Sequence, residues 1–486
     1  MTAPATPGSH VIDDAPMSRF LAKIIFFASG GAFLDGYVLA IIGVALVGMT
    51  TSLGLSTSDA AMIGAAALAG IFFGSLIGGR LTDTLGRRLT FLVDIAAIGL
   101  VSLVSVFAAA PWQLVVLRFL LGFFIGADYP IATSLIAEFV PRKQRAIGMG
   151  LVSAAWYLGA TAAAFVGFFL FHVQNGWRWM LATSIVPTLV VLIGRHDIPE
   201  SPRWLTQRGK TAEARAVMAR VFGQAVDLDD ELPARPSFAA VFRKGYFARI
   251  VYLGVLILCQ VVPMYAMYTF GPAIMAEFGL GTGRAAIMGG TLVSLFFLIG
   301  SIPAMFWLNS LGRRPLLIGS LALMAVGLLI PGVAPAASIF VIMFAFGLYA
   351  FFSGGPGILQ WLYPNELFPT EVRATAVGVA IAISRIGVVA STYGLPLFLA
   401  RFGIGPTMLV GCGLLVVALV MSVAMAPETR ELSLTEASSL RTASHTAKTG
   451  RPRSGGRRRR GPRVHAVRGA TPRRSLASPG TLANTN

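Results

Sequence analysis

Apolar runs of about 20 residues recur between residues 20 and 426, and this repetition restricts the chain to folds that place most helices in a lipid bilayer. An α-helix of about 20 apolar residues crosses the roughly 30 Å of hydrocarbon in a membrane. Only 12% of the 486 residues are charged, against roughly 25% in soluble proteins. The sequence therefore predicts an all-α membrane protein with about twelve transmembrane helices, at residues 20–48, 60–79, 90–109, 112–137, 146–171, 177–194, 249–275, 286–307, 316–334, 337–362, 374–400 and 404–426.

A polar segment of mixed charge separates the sixth predicted helix from the seventh and includes helix-forming stretches such as 211–222. It is the natural linker between two bundles of six helices. The predicted domains are an N-terminal segment (1–19), a first bundle (20–194), a linker (195–248), a second bundle (249–426) and a basic tail (427–486).

Lysine and arginine are distributed unequally between alternate loops, which predicts the orientation of the helices. Nine lie in loops on the side of the N-terminus, and three lie in loops on the other side. We therefore expect a multi-pass protein of the inner membrane with both termini in the cytoplasm. The first 18 residues lack the apolar core of a cleavable signal peptide.

Residues 437–486 contain 12 basic residues and no acids, so they contribute 12 units to the net charge of +18. Their Gly, Pro, Ser and Arg content predicts disorder. Arg457 to Arg460 could bind anionic lipid headgroups, or the tail could be an extension without a partner. This composition alone gives little support for binding to nucleic acid.

Three motifs of the first half recur in the second half. Leu85-Gly-Arg-Arg88 returns at an offset of 226 residues and Glu138-x-x-Pro-x-x-x-Arg145 at an offset of 228, and Pro199-Glu-Ser201 returns as Pro427-Glu-Thr429, again at 228. A parallel repeat of six helices predicts two related bundles with a site between them at the middle of the membrane.

These motifs resemble the major facilitator superfamily, in its sugar-porter and metabolite:proton symporter branch. The resemblance rests on four motifs and covers about residues 20–436: Gly79–Arg88, Arg118–Gly126, Pro199–Trp204 and Pro427–Arg430. It implies the major facilitator fold and alternating access by rocking of two bundles.

The chain departs from proton-coupled sugar porters at Val38, where they carry an aspartate. Asp35-Gly36-Tyr37 instead resembles the aromatic-acid and phosphate branches. Gly126–Pro130 also resembles the phosphate branch, but the seventh helix has no acid between 253 and 275, which disfavours phosphate. Ser384–Gly387 resembles carriers of organic anions.

Ionisable side chains well inside the predicted helices are Asp35, Asp94, Asp128, Arg118 and Arg385. Such residues are costly in a membrane and commonly functional. Asp35 and Asp128 are candidate proton carriers; alternatively, Asp35 forms a permanent ion pair and Asp128 a structural hydrogen bond. The resemblance implies that Arg118 pairs with the acid of the first helix, here Asp35. Asp94 is interpreted as structural, beside Arg87 and Arg88.

Arg385 is the most informative residue about the substrate, because the acids of the second half lie at helix ends. Its guanidinium suits a carboxylate, so we predict that it holds a substrate anion. A salt bridge to the first bundle and pairing with the backbone remain alternatives. Further cavity candidates, each of which could equally be packing, are Trp156, Tyr157, Gln260, Tyr265, Tyr268, Gln360, Trp361 and Tyr393.

Acids beside the basic residues of the predicted cytoplasmic loops suggest ion pairs that close one conformational state. Simple anchoring by positive charge would explain the basic residues but not the acids. The predicted network consists of Gly79, Asp83, Gly86, Arg87, Arg88, Glu138, Arg145, Glu200, Arg203, Glu366 and Arg373.

The resulting hypothesis is a monomeric transporter that takes up a small organic anion, namely an aromatic, sugar or other carboxylic acid, together with protons. A carrier of neutral sugars or polyols, a drug exporter and a non-transporting membrane sensor are the alternatives. Neither a catalytic set nor metal-ligand spacing occurs in the sequence, and Cys259 and Cys412 both lie in apolar runs. We therefore predict no enzymatic activity, no cofactor and no metal.

Overall fold

The protein's structure is a computed structural model that describes residues 15–223, 246–281, 283–368 and 370–430. Within the helices, side chains are not described at 79–80, 83, 129–138, 142–147, 149, 207, 309, 365 and 370–375. Most of the predicted N-terminal segment, the middle of the linker and nearly all of the basic tail lie outside the described residues.

The described chain is helical throughout and contains 12 helices or helix pairs long and apolar enough to cross a membrane. Two short helices, α8 and α9, lie between the sixth span and the seventh. The helices are α1 (Arg19–Leu53), α2 (Thr57–Leu85), α3 (Arg87–Ser105), α4 (Pro111–Phe139), α5 (Arg142–Leu170), α6 (Gly176–Ala182), α7 (Ile185–Arg195), α8 (Pro202–Gln207), α9 (Thr211–Phe222), α10 (Phe247–Met275), α11 (Arg284–Ser310), α12 (Arg313–Val333), α13 (Ile339–Phe352), α14 (Gly354–Leu367), α15 (Thr370–Phe402) and α16 (Ile404–Met425).

Local sequence signals set several of these boundaries. The hydroxyl of Ser18 accepts a hydrogen bond from the backbone N–H of Leu21 and caps the start of α1. Gly54 ends that helix in the left-handed conformation. Ser56 and Asp59 then form a reciprocal capping box at the start of α2, so only a short turn joins the first two spans.

The sixth and tenth spans are each made of two helices. α6 and α7 meet at Thr183 and Ser184, while α13 and α14 meet at Ser353, directly before a Gly-Gly-Pro sequence. Glycine and proline weaken helix continuity. The regular helix of the tenth span is therefore interrupted at Ser353.

Corresponding helices pack in corresponding pairs in the two halves. α1 packs on α5 as α10 packs on α15, and α3 packs on α7 as α12 packs on α16. The halves meet where α2 contacts α15, α5 contacts α11 and α1 contacts α10. This is the arrangement of two related six-helix bundles facing each other that the internal repeat predicts.

Each Leu-Gly-Arg-Arg turn joins two helices at the same end of its bundle, which we call the basic end. Gly86 and Gly312, the glycines of these turns, have φ angles of 98° and 97°, a region that favours glycine. Their positions also leave room for the carboxylates of Glu200 and Glu428, which would crowd a Cβ. Which side of the membrane holds this end stays a prediction.

Candidate functional site

A cavity lies between the bundles and is lined from both. The first bundle contributes residues of α1, α4 and α5, and the second contributes residues of α10, α14 and α15. Its lining includes Ala32, Asp35, Asp128, Val152, Ser153, Trp156, Tyr157, Val261, Met264, Tyr265, Gln360, Trp361 and Arg385. Its volume of about 60 Å³ suits a few water molecules.

Two glycines allow the aromatic side of this cavity to form. A Cβ at Gly36 would overlap the carbonyl oxygen of Trp156, so α1 can approach α5 closely only with glycine there. A Cβ at Gly357 would overlap the hydroxyl of Tyr157. The ring of Trp156 packs edge-on against Tyr265, with 6.2 Å between the ring centroids. Aromatic groups of the two bundles therefore meet at the cavity.

Arg385 of α15 is 6% exposed and lines the cavity from the second bundle. Its Nη1 lies 3.5 Å from the hydroxyl of Tyr265, and its guanidinium carbon lies 5.8 Å from the centre of that ring. The side chain therefore turns toward the space between the bundles, together with Tyr157, its counterpart at an offset of 228 residues.

Asp35 and Asp128 line the same cavity from the first bundle and belong to a larger buried charge cluster. Asp35 and Asp94 each interact electrostatically with Asp128 and with Arg195, the last residue of α7. The exposed fractions are 0% for Asp35, 3% for Asp94, 1% for Asp128 and 0% for Arg195. Four helices thus bring three carboxyl groups and one guanidinium together.

Arg195 is held in this cluster by several contacts. Its Nη1 lies 3.4 Å from Oδ1 of Asp128 and donates to the carbonyl of Phe91 at 3.2 Å. Its Nε donates to the carbonyl of Phe27 at 3.1 Å. Its guanidinium also lies over the ring of Phe91, 3.3 Å from the centroid. A Cβ at Gly31 would overlap both Arg195 and Asp128, so glycine on α1 makes room for the pair.

Asp35 differs from the other two acids in its contacts. Among the described residues, neither of its carboxyl oxygens has a hydrogen-bond partner. Asp94 accepts a hydrogen bond from the backbone N–H of Ile95 at one carboxyl oxygen, and its other oxygen has no partner among the described residues.

Arg118 does not pair with Asp35 in this structure, which corrects the expectation carried over from the family resemblance. It is 3% exposed, and its Nη1 donates to the carbonyl of Val38 at 2.9 Å. Val38 occupies the position at which proton-coupled sugar porters carry an aspartate, so the backbone oxygen there accepts the hydrogen bond instead. Arg118 lines a separate small cavity.

Asp94 also lies in a different environment from the one expected. The nearby charges that act on it are those of Asp128 and Arg195. Its position two helical turns into α3 places it at the depth of Asp128.

Three predicted cavity residues are not part of the cavity lining. Gln260 donates from Nε2 to the Ser353 hydroxyl at 3.5 Å, and Tyr268 packs edge-on against Trp156 at 5.3 Å. Tyr393 is 39% exposed. It follows Arg385 by eight residues, which is a rise of about 12 Å along a helix, so it lies about two turns away from the residue that lines the cavity.

At the basic end, the acids act through the backbone as well as through ion pairs. Glu200 accepts hydrogen bonds from the backbone N–H groups of Arg87 and Arg88 at 2.9 and 3.1 Å, which caps the start of α3. Arg88 also donates to the carbonyl of His196 at 3.1 Å.

The second bundle repeats this arrangement. Glu428 accepts from the backbone N–H groups of Arg313 and Arg314 at 3.1 and 2.9 Å. In addition, Arg313 forms an ion pair of 2.9 Å with Glu366. The basic end therefore has two caps: one by Glu200, which motif reading assigned to ion pairing, and one by Glu428, which the predicted network did not include.

The remaining members of the predicted network either have side chains outside the described part of the chain or take no part in the contacts given above. Gly79 and Arg203 lie in α2 and α8. The side chains of Asp83, Glu138, Arg145 and Arg373 are not described, so their roles stay predictions.

Arg195 is the functional candidate that sequence reasoning missed. The sixth predicted helix ends at residue 194, which assigned Arg195 to the polar linker. The sequence did contain a signal for this residue, because Arg195 directly follows the apolar run 185–194 and could continue the same helix. A basic residue one position beyond an apolar run can be buried when its carboxylate partners lie on neighbouring helices.

Comparison with known proteins agrees with this architecture. The family described as "Sugar (and other) transporter" matches residues 23–440. The putative metabolite transport protein YaaU of Escherichia coli is 48% identical over 89% of this chain and 98% of its own length. The inner membrane metabolite transport protein YgcS of the same organism is 35% identical, over 88% and 96%.

A solved structure shows the same fold. The major facilitator superfamily proton:xylose symporter XylE, bound to 6-bromo-6-deoxy-D-glucose, superposes with a TM-score of 0.73 at 22% sequence identity and covers 86% of this chain and 98% of its own. The chain therefore belongs to the sugar-transporter family of the major facilitator superfamily. It is a multi-pass membrane transporter of small metabolites and not an enzyme.

Proposed function

We propose that this transporter takes up a small organic anion together with protons, by alternating access. The substrate class is a carboxylic acid, either aromatic, sugar-derived or of another small type. The observation that carries the proposal is the position of Arg385, which lines the cavity between the bundles opposite the acids of the first bundle. A guanidinium there offers paired donors to a carboxylate.

The lining beside Arg385 suits an acid with a ring or several hydroxyls. Trp156 and Tyr265 offer ring faces and edges, while Gln360 and Ser153 offer polar groups. Sites for small molecules commonly combine apolar walls with a few placed polar groups. The 60 Å³ cavity is smaller than such a guest, so substrate entry requires the bundles to separate.

Proton coupling is supported by the charge cluster of the first bundle. With all groups ionised, Asp35, Asp94 and Asp128 outnumber Arg195 three to one in a buried space. Excess charge of one sign in a low-dielectric interior is unfavourable, and bound protons remove it. Asp35 is the best candidate for the exchanging group, because it lines the cavity and its carboxyl has no hydrogen-bond partner among the described residues.

A neutral sugar or polyol is the second candidate substrate. The family description names sugars, and the XylE structure holds a glucose derivative. Aromatic residues and amides also suit hydroxyl-rich guests. The charge of Arg385 in the lining favours the acid over the neutral sugar.

The proposed location is the inner membrane, as the name of the relative YgcS states for that protein. The proposed orientation has the basic end and both termini in the cytoplasm, on the basis of the Lys and Arg distribution.

Counterflow in proteoliposomes tests the substrate class. Vesicles loaded with unlabelled benzoate, gluconate or glucose are diluted into the matching labelled compound. We expect exchange of at least one of the two acids. Replacement Arg385→Ala should reduce that exchange about ten-fold or more, since a hydrogen bond to a charged group contributes about 1.5–3 kcal/mol.

The matched control is Arg401→Ala, because Arg401 lies in the same helix but is exposed at its end. It should exchange the acid as the unmodified protein does. Exchange of glucose alone would contradict the anion proposal and favour the neutral substrate, whereas acid exchange unchanged by Arg385→Ala would show that Arg385 does not hold the acid.

A further inference from the structure

Arg118 lies in its own buried site, apart from the cavity that contains Arg385. The site is a cavity of about 10 Å³ between α1, α3, α4 and the α6–α7 span, and its lining includes Val38, Met49, Ser102, Ser105, Arg118 and Ser184. Neither Asp35 nor Asp128 lines it. A volume of this size holds about one water molecule.

The guanidinium in this site is buried without a matching carboxylate. Arg118 is 3% exposed, and its Nη1 donates to the Val38 carbonyl. No carboxylate in the described part of the chain forms an ion pair with it. A full charge in an apolar interior is strongly unfavourable unless an opposite charge accompanies it. A neutral carbonyl compensates it only in part.

Two hydrogen-bond donors of this lining lack an acceptor. Within the described chain, the Nε of Arg118 and the hydroxyl of Ser102 have no hydrogen-bond partner, and Ser102 is only 3% exposed. The other two hydroxyls are already engaged: Ser105 donates to the carbonyl of Val101 and Ser184 to that of Leu181. The site therefore offers one positive charge and unused donors, but no negative charge.

We propose that this cavity is a chloride site, in which a halide is the counter-ion of Arg118. An anion suits this chemistry, because no described carboxylate pairs with the guanidinium and both unpartnered groups can donate a hydrogen bond. The volume of about 10 Å³ restricts that anion to a single small atom and excludes carboxylates and phosphates. The site is therefore distinct from the one proposed for the transported acid, and it does not depend on the identity of that acid.

The backbone contact at Val38 provides a sharp test. The α-carbon of Val38 lies beside Arg118, and this residue lines the cavity. Replacement Val38→Asp would put a permanent carboxylate next to the guanidinium and make a halide unnecessary. Val38→Asn is the matched control, since it has nearly the same shape without the charge.

The experiment measures the thermal midpoint of the full-length protein in detergent, as sodium methanesulfonate is replaced by sodium chloride or bromide at constant sodium concentration. For the unmodified protein and Val38→Asn, we expect a saturable rise with either halide. For Val38→Asp and for Arg118→Gln, the apparent halide affinity should fall about ten-fold or more, since each removes a charge-assisted contact.

Crystals grown in bromide locate the ion independently of these variants, through an anomalous peak beside Arg118 and Ser102. A halide response equal in Val38→Asp and in the unmodified protein would overturn the proposal. So would the absence of both a halide response and a bromide peak in the unmodified protein.

Discussion

Arg195 is buried against a carboxylate, two backbone carbonyls and an aromatic ring, so its charge depends on this surrounding for compensation. Removal of one partner of a buried ion pair leaves the other charge uncompensated, which typically costs 3–5 kcal/mol. The balance of charge in the first bundle therefore depends on this residue at the end of α7.

We expect Arg195→Gln to destabilise the protein by about 3–5 kcal/mol and to lower its thermal midpoint in detergent. The double replacement Arg195→Gln with Asp128→Asn should recover part of that loss, because it removes both charges. His196→Gln is the control, since its side chain is 76% exposed. A single variant as stable as the control would show that Arg195 is not needed for charge compensation.

Replacement of Asp35 should separate exchange from coupling. Asn cannot bind or release a proton, so Asp35→Asn should retain counterflow of the substrate but lose its accumulation driven by an inwardly directed proton gradient. Asp197→Asn, an exposed acid outside the spans that pairs with Lys23 at 3.0 Å, should leave both activities intact. Accumulation by Asp35→Asn at the unmodified rate would exclude Asp35 as the proton carrier.

Single-residue inference from the sequence located Asp35, Asp128 and Arg385 at the central cavity, because an isolated charge in an apolar run is conspicuous. It did not find the partners of these charges. Arg195 seemed to belong to a loop. Arg118 was predicted to pair with Asp35, whereas it donates a hydrogen bond to the backbone carbonyl of Val38. Which charges meet is decided by helix rotation and tilt, and an apolar pattern leaves both undefined.

At the scale of the elements, glycine decides how closely membrane helices approach. Gly122 of α4 faces α2, and a Cβ there would overlap the carbonyl of Ala67. Gly70 of α2 faces α4 in the same way, at the carbonyl of Phe119. Small residues at such crossings allow close backbone contact, which drives helix association where no hydrophobic effect between helices is available.

Gly122→Ala should therefore force α2 and α4 apart, with a cost of about 1–3 kcal/mol as in other overpacked sites. Gly319→Ala is the matched control, because it is also a helix glycine and no atom lies within 4 Å of the added Cβ. The thermal midpoint should fall for the first variant and stay level or rise for the second. Equal midpoints would mean that the α2–α4 crossing can adjust without cost.

Helix positions follow the apolar runs closely, but helix ends do not. The first predicted helix, 20–48, is observed as Arg19–Leu53, because backbone hydrogen bonding continues beyond the apolar run until Gly54 ends the helix. The sequence motifs also did not predict that Glu200 and Glu428 cap helices. The motif indicates an acid near arginines, whereas the structure shows that the carboxylate reaches the backbone N–H groups.

For the whole molecule, the internal repeat predicted more than any single motif did. Offsets of 226 and 228 residues indicated two related bundles, and equivalent contacts recur at equivalent positions. Arg88 donates to the carbonyl of His196, and Arg314 donates to that of Val423. The contacts between the bundles could not be predicted in this way, since they depend on which conformational state is adopted.

Those contacts define what must separate during transport. The hydroxyl of Thr161 on α5 donates to the carbonyl of Ser294 on α11 at 2.9 Å, across the two bundles. In alternating access, such a contact holds in one state and breaks in another.

Cysteines at both positions, in a background with Cys259→Ser and Cys412→Ser, should form a disulfide crosslink that lowers counterflow about ten-fold. Reduction of the disulfide should restore counterflow. The control is Ala325→Cys in a Cys259→Ser background that keeps Cys412, its partner within the second bundle; this crosslink should leave counterflow unchanged. Full exchange by the Thr161–Ser294 crosslinked protein would show that the bundles do not part there.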